Sequence, residues 1–168
     1  KPTSETIDIW HAEREMIDLK NVIQNYYYNP FTKGSNSIKA VLPASLQSSA
    51  FLQAKYVQPL HRIQVSSKNF EENHCWLSIE NGEIKNPYKM LPPLFADWHE
   101  EEKEGNVMGN EENIADGGAA LAAYGKLQYQ DMSERERTAI VSGLLKYCEL
   151  DTLAMVMIYE HLKEMTNG

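Results

Sequence analysis

The residues with the clearest chemical potential lie near the end of the chain, where Tyr147 precedes Asp151 by four positions. Residues 144–162 contain no Gly or Pro and are rich in Leu, Met and Ala, which predicts a helix. At about 100° per residue, the apolar side chains fall on one arc, and Asp151 points into the middle of it. A carboxylate turned toward a core is costly unless a metal ion or hydrogen-bond donors meet it. Both kinds of partner are open for Asp151, and Tyr147 lies one turn before it on the same side of the helix.

The helix that positions this pair is predicted to begin after Ser133, because Ser133 and Glu136 have the spacing of a capping box. It either bends at Ser142-Gly143 or runs on through Asp151. The predicted apolar arc consists of Leu144, Cys148, Met155, Ile158, Tyr159 and Leu162. The charged residues predicted opposite it are Lys146, Glu149, Glu160 and Lys163.

A first helix is predicted over residues 5–28, since apolar residues recur at helical spacing and Pro30 prevents easy continuation. It ends in three consecutive tyrosines, 26–28. These rings are expected to wedge the helix against its neighbours; stacking on nucleic-acid bases is the alternative.

Ser37 is a predicted N-cap for a helix that begins at Ile38. Pro43 should make this helix short or kinked, and a further helix is predicted over 45–56. Lys39 lies in the first turn, against the favoured sign of the helix dipole. This unfavourable position indicates a functional role for Lys39; the alternative is that it is an ordinary surface lysine.

A β-hairpin is predicted near 76–85, because Asn81-Gly82 is a favoured pair for a tight turn. The proline-rich segment 86–95 should run extended and pin a loop across the core. Residues 96–113 carry an acidic run and are predicted to form a solvated loop. A helix of small residues is predicted over 119–127.

Composition places limits on the class of protein. The 168 residues are enough for one domain with a core, and their net charge is −8. Residues 1–70 hold eight Lys and Arg against five Asp and Glu, whereas 71–168 hold eight against 19. An acidic chain is not typical of a simple electrostatic DNA binder. A nuclease remains possible, because bound divalent cations would supply local positive charge.

No apolar run approaches the ~20 residues needed to span a bilayer, and no membrane partner is expected. Cys75 and Cys148 are far apart in sequence, which indicates free thiols in a reducing cytoplasm. No Cys and His spacing suggests zinc.

Four strings together resemble a known superfamily. Tyr147-Cys-Glu-Leu-Asp151 is similar to the third motif of the DnaQ-like 3′–5′ exonucleases, in the subgroup that uses Tyr. The wider string 145–156 is closer still to an uncharacterised bacterial domain family assigned to that superfamily. Three further strings support the match. The first begins at Tyr27 and continues through Gly34-Ser35-x-Ser37-Ile38-Lys39, the second is Asn86-Pro87-Tyr88, and the third is Ile114-x-Asp116-Gly117.

The resemblance implies a mechanism and roles for particular residues. In this superfamily four carboxylates hold two metal ions, Mg²⁺ or Mn²⁺, and the enzyme hydrolyses nucleic-acid phosphodiesters, of DNA or RNA. Asp151 would be a catalytic metal ligand, and Tyr147 would orient the attacking water. Ser35, Ser37 and Lys39 would be substrate-binding residues.

The chain departs from the family pattern because the first motif, Asp-x-Glu on an opening strand, has no counterpart in it. The Asp of the second motif has no match either: Asp18 aligns better with a helix-start position just after that motif, so it is not assigned to metal. The expected fold class is therefore α+β and predominantly helical, the C-terminal helical portion of an RNase H-like exonuclease domain. Such a piece, a single domain or domain fragment over 1–168, should be inactive alone and should bind the metal pair poorly or not at all. Strands missing from this piece would leave one face of it exposed, and that face could pair with a second copy to form a homodimer.

A second hypothesis comes from another class of protein. The chain would be a non-catalytic helical interaction module, an RNase H-like relative that has lost its metals. Protein donors would then satisfy Asp151, for instance the hydroxyls of Ser35 or Ser37, or a helix N-terminus.

Overall fold

Helices dominate the computed structural model, which describes residues 16–99, 107–108 and 113–167. The helices are α1 Leu19–Tyr26, α2 Ile38–Ser48, α3 Ala50–Tyr56, α4 Leu60–Ile63, α5 Gly117–Tyr129 and α6 Glu134–Asn167. Two 3₁₀ turns, Pro30–Thr32 and Pro87–Met90, and a small antiparallel sheet complete the regular structure of these ranges. The predicted α+β, mainly helical class is confirmed at this level.

The last helix, α6, is the spine to which the other elements attach. It contacts α2, α3, α5 and the Pro87–Met90 turn. The predicted capping box opens it, because Glu136 N–H donates to Ser133 Oγ at 3.2 Å and Ser133 N–H donates to Glu136 Oε2 at 2.8 Å. The helix runs on past Gly143, so the second of the two sequence alternatives is the observed one.

The buried side of α6 differs from the predicted arc by about 100°, one residue step. The buried residues are Ile140, Tyr147, Leu150, Ala154, Met157, Ile158 and His161. Cys148 is exposed, and Met155 and Tyr159 are 46% and 55% exposed. The prediction was wrong because Tyr147 and His161, which were left off the predicted arc, lie inside. Asp151 is half-buried and lies at the edge of this side rather than in its middle.

The first described helix is shorter than predicted. It begins at Leu19, because Asp18 is its N-cap and accepts a 2.9 Å hydrogen bond from Lys20 N–H. The predicted part over 5–15 lies outside the described residues. Tyr26 and Tyr28 are 86% and 88% exposed, so Tyr27, which is partly buried, is the one tyrosine of the three that packs inward.

Pro43 does not end α2, which continues to Ser48. The break comes at Ser49, which has extended backbone angles and whose Oγ caps α3 by accepting from Leu52 N–H at 3.0 Å. The predicted helix over 45–56 is therefore divided between α2 and α3. Ser49 separates the two helices better than Pro43 because its side chain caps the second helix.

The hairpin is confirmed, although each strand is short. Strand β1 (Ile79–Glu80) pairs with β2 (Glu83–Ile84), in the register Ile79 with Ile84. Asn81 and Gly82 have φ of 53° and 81°, the left-handed values that a type I′ turn needs.

The proline-rich segment after the hairpin pins a loop across the core, as predicted, and its Tyr88, Leu94 and Phe95 are buried. The prediction that it runs extended was wrong, because Pro87–Met90 form a 3₁₀ turn that the Asn86 side chain caps. The predicted acidic loop 96–113 is described only at 96–99, 107–108 and 113.

The core forms where α2 and α3 meet α6. Leu42, Leu46, Leu52 and Tyr56 are fully buried, as is Leu150 of α6. Cys75 and Cys148 are free, as predicted. In the described part of the chain, none of the helices has the length and apolar character needed to cross a membrane.

Candidate functional site

All four strings bring polar side chains to one place. We call this set the central cluster: Lys39 of α2, Tyr88 of the second 3₁₀ turn, Asp116 before α5, and Tyr147 and Asp151 of α6. The rings of Tyr88 and Tyr147 lie 6.2 Å apart between centroids. Residues far apart in sequence thus surround the Tyr147–Asp151 pair.

Tyr88 holds the carboxylate of Asp151. Its hydroxyl donates a 2.5 Å hydrogen bond to Asp151 Oδ1. Local sequence fixes its position, because Pro87 opens the 3₁₀ turn and Asn86 Oδ1 accepts from Tyr88 N–H at 3.0 Å. The carboxylate that sequence reasoning left with an open choice of partner therefore has a tyrosine donor.

Lys39 lies between the two rings. Its Nζ is 5.0 Å from the centroid of Tyr88 and 5.1 Å from that of Tyr147, within the range of cation–π attraction. The same ammonium donates a 2.9 Å hydrogen bond to the carbonyl oxygen of Ala115. Lys39 thus ties α2 to the segment that leads into α5, and this accounts for a lysine in the first turn of a helix.

Asp116 brings a second carboxylate to the cluster. It is the N-cap of α5, and its Oδ1 accepts from Ala119 N–H at 2.9 Å. The next residue, Gly117, lies so close that a side-chain carbon there would be 3.9 Å from the hydroxyl of Tyr147. The start of α5 therefore faces Tyr147.

The surroundings of both tyrosines raise their pKa above the ordinary value of 10.0. Burial raises the pKa of Tyr88, and the hydrogen bond and charge of Asp151 raise it further. Burial also raises the pKa of Tyr147, with the charges of Asp151 and Asp116 adding to it. The hydrogen bond from Ala119 lowers the pKa of Asp116, as does the positive charge of Lys39. The cluster therefore combines two neutral phenols, two carboxylates and one ammonium.

Ser35 and Ser37 have local roles. Ser37 N–H donates to Ser35 Oγ at 3.3 Å, and both side chains are exposed. The donor to Asp151 is Tyr88, so the expectation that these serines supply it was wrong. Lys39, in contrast, is in the cluster, although its ammonium already bonds to Ala115.

The Tyr27 end of its string leads to a different polar network. The hydroxyl of Tyr27 lies 3.2 Å from His161 Nε2 and 3.4 Å from Ser45 Oγ, and Asn29 Nδ2 donates to it at 2.9 Å. This network joins α1 to the far end of α6, so the string divides between two sites.

The described residues do not fit a complete two-metal centre. Among them, no group of three or more His, Cys, Asp or Glu is placed to hold a metal ion. The charges of Asp151 and Asp116 both raise the pKa of Tyr147, but two metal ions require more oxygen ligands than two carboxylates supply. We therefore derive no catalytic step through a metal.

Tyr88 and Asp116 are the members of the cluster to which sequence reasoning gave no role. Both lie in the strings that carry the resemblance, and that was the available signal. Comparisons with family models, with curated proteins and with solved structures give no match to this chain.

Proposed function

We propose that this chain contributes part of the catalytic centre of a metal-dependent 3′–5′ exonuclease. The remaining carboxylates would lie outside the described residues. The observation that carries the proposal is the convergence of Lys39, Tyr88 and Asp116 on the Tyr147–Asp151 pair. The four strings were chosen from the sequence by their resemblance to one superfamily. If they form one catalytic centre, their side chains should lie together in the fold.

The geometry suits the roles that the resemblance implies. Tyr88 fixes the carboxylate of Asp151 through Oδ1, and partners that orient a metal-binding carboxylate typically raise metal affinity. Tyr147 stays protonated, so its hydroxyl can donate a hydrogen bond to a nucleophile or a phosphate. Mg²⁺ or Mn²⁺, when bound by the full set of carboxylates, would stabilise the charge that develops on the phosphodiester.

The test is hydrolysis of a single-stranded oligonucleotide labelled at its 5′ end by the complete natural protein. DNA and RNA substrates are assayed separately, each with Mg²⁺ and with Mn²⁺. We expect Asp151→Asn to lower the rate by more than about 100-fold and Tyr147→Phe by about 10- to 100-fold. Both changes are nearly isosteric, so loss of the fold is a minor concern.

Matched controls come from exposed positions. Asp131→Asn, between α5 and α6, and Tyr159→Phe, on the outer side of α6, should leave the rate unchanged. An Asp151→Asn variant with full activity would remove Asp151 from the mechanism. Absence of hydrolysis by the wild-type protein with both metals and both substrates would overturn the proposal.

A second candidate function is a non-catalytic interaction module. The observation that favours it is the hydrogen bond from Tyr88, which satisfies Asp151 from within the protein. Calorimetry with Mn²⁺ distinguishes the two candidates: the exonuclease requires metal binding that Asp151→Asn weakens, and the module requires none.

A further inference from the structure

The outer side of α6 carries a row of side chains that the elements described around it leave exposed. Its members follow one another at alternating intervals of four and three residues, the heptad spacing of helices that pack against a second helix. Each of them is exposed, Leu145 to 50%. We call this row the outer seam: Val141, Leu145, Cys148, Thr152, Met155 and Tyr159.

The outer seam points away from the core of the chain. At about 100° per residue, its centre lies about 140° around the helix from the centre of the buried side. Single apolar side chains on a surface are normal and need no partner. A heptad row that continues for nearly three heptads along the outside of one helix is instead typical of a helix–helix interface.

Thr152, in the middle of the outer seam, suits an apolar contact although it carries a hydroxyl. Its Oγ1 donates a 2.9 Å hydrogen bond to the carbonyl oxygen of Cys148 in the same helix. Because this bond satisfies the hydroxyl from within α6, the methyl group is left to pack against a neighbour. Tyr159 can bury its ring in such a contact and keep its hydroxyl in water at the edge.

The sizes of the side chains make the outer seam complementary to a second copy of itself. Two of its members, Cys148 and Thr152, are small, and the next two, Met155 and Tyr159, are large. In two copies of α6 that run antiparallel about a two-fold axis, one register places Thr152 opposite Met155 of the other copy. The same register places Cys148 opposite Tyr159. Each small side chain then meets a large one, as close packing requires.

Charge and size disfavour the two neighbouring registers. With Leu145 opposite Leu162, the two Glu149 carboxylates lie about 14 Å apart along the helix axis. A shift by one heptad would place Leu145 opposite Met155 and bring the two Glu149 side chains within about 3 Å along the axis, where like charges repel. A shift the other way would place Tyr159 opposite Met155, so that two large side chains meet. The pairing of Leu145 with Leu162 therefore fits best.

We propose that the outer seam is the interface of a homodimer, in which two copies of α6 pack antiparallel with Leu145 opposite Leu162. Between Val141 and Leu162 this contact is about 32 Å long. One pair of helix faces of this length buries less than the ~800 Å² per partner of a standard interface. The dimer should therefore form with a dissociation constant on the order of 10 µM. This pairing does not depend on the proposed exonuclease function.

The first test is sedimentation equilibrium of the full chain between about 1 and 300 µM at about 0.15 M salt. Leu145→Lys should raise the dissociation constant by more than about tenfold, because it places an ammonium against Leu162 of the other copy. The change makes an acidic chain of net charge −8 less negative, so added repulsion would not explain the loss. The matched control is Leu121→Lys at an exposed position of α5, which should leave the dissociation constant unchanged.

The second test is crosslinking with a short bis-maleimide, in a Cys75→Ser background that leaves Cys148 as the native thiol. Tyr159→Cys should give a covalent dimer, because the new thiol faces Cys148 of the other copy. Cys75→Ser alone should give none, since the two Cys148 side chains lie about 17 Å apart along the axis. Tyr129→Cys in the same background is the matched control at an exposed position of α5 and should also give none.

Three results would overturn the proposal. A wild-type chain that stays monomeric at about 300 µM would do so, and this is the result expected if another part of the chain or a different protein covers the outer seam. A dimer that Leu145→Lys leaves intact would place the interface on another face. Crosslinking of the Cys75→Ser protein through Cys148 alone would show that the two helices do not have the antiparallel register.

Discussion

Tyr88 and Asp151, 63 positions apart in the chain, are joined by a hydrogen bond of 2.5 Å from the phenol hydroxyl to Oδ1. This contact fastens the loop after the hairpin to the middle of α6. Because Tyr88 is only 3% exposed, the bond forms where water cannot easily replace it. It is both a tertiary contact and the means by which the carboxylate is oriented.

Replacing Tyr88 with Phe should destabilise the fold by about 1–3 kcal/mol, because the carboxylate of Asp151 loses a donor in a half-buried position. The measurement is urea unfolding followed by circular dichroism at neutral pH. Tyr129→Phe is the control, since Tyr129 is 90% exposed and its hydroxyl should contribute little to the free energy of unfolding. Equal stability of the two variants would show that the bond to Asp151 adds nothing to the fold.

Stability should decrease in alkaline solution. Burial raises the folded-state pKa of Tyr56, Tyr88 and Tyr147 above the ordinary value of 10.0, with neighbouring carboxylates adding to the effect. The unfolded chain then releases these protons first, so the stabilisation is fully present below pH 10 and is lost as the pH rises above it. The slope should reach up to about 1.4 kcal/mol per pH unit for each such tyrosine.

Urea unfolding between about pH 8 and 11 measures this slope. Tyr88→Phe should make the pH dependence of the unfolding free energy shallower, because the variant has one tyrosine proton fewer to release on unfolding. A free energy of unfolding that is constant over this range would contradict the raised pKa values.

Gly143→Ala should destabilise the protein by about 1–3 kcal/mol. The added carbon would clash with Cδ2 of Leu94. Because Leu94 is buried, its side chain has little room to move, and the cost should outweigh the ~1 kcal/mol gain in helix propensity. Gly125→Ala in α5 is the matched control. It has no neighbour within 4 Å of the added carbon and should stabilise by about 0.5–1 kcal/mol. Thermal unfolding of both variants checks the opposite signs, and two stabilised variants would contradict the close approach of Leu94.

Glu160→Ala should cost about 1–3 kcal/mol, because it leaves the hydroxyl of the fully buried Tyr56 without its acceptor. Glu160 also accepts from Lys55 Nζ at 2.6 Å. In the Tyr56→Phe background the same change should cost less, since no orphaned hydroxyl remains. A double-mutant cycle by urea unfolding measures the difference, and strictly additive effects would exclude the coupling.

Local signals in the sequence were sufficient for the hairpin at Asn81-Gly82 and for the capping box at Ser133, because both depend on residues a few positions apart. Other local signals were only partly informative. Pro43 was expected to make α2 short or kinked, and the helix continues past it to Ser48. Asp18 lies inside the helix predicted over 5–28, but its alignment with a helix-start position agrees with its place as the N-cap of α1.

In the central cluster, the sequence identified residues on one helix but not their partners on other elements. Periodicity identified Asp151 as unusual and placed Tyr147 beside it, since both lie on one helix. The donor that meets Asp151 could not be inferred from spacing, because Tyr88 lies on another element and its contact depends on how the loop folds across α6. The error of one residue step in the buried side of α6 has a similar origin. His161 is buried because it meets the Tyr27 hydroxyl, and Tyr147 is buried beside Tyr88; both partners lie on other elements, so the periodicity of one helix could not reveal them.

The unbroken course of α6 has a consequence for local unfolding. Tyr147 and Asp151 lie near the middle of 34 consecutive helical residues, with neighbouring elements on both sides of that midpoint along the chain. Fraying of helix ends affects only the terminal turns, so amide hydrogens near Asp151 can exchange with deuterium only when most of the tertiary structure opens. The Tyr147–Asp151 pair therefore lies in the segment that should open last, so its geometry should be formed before any ligand binds.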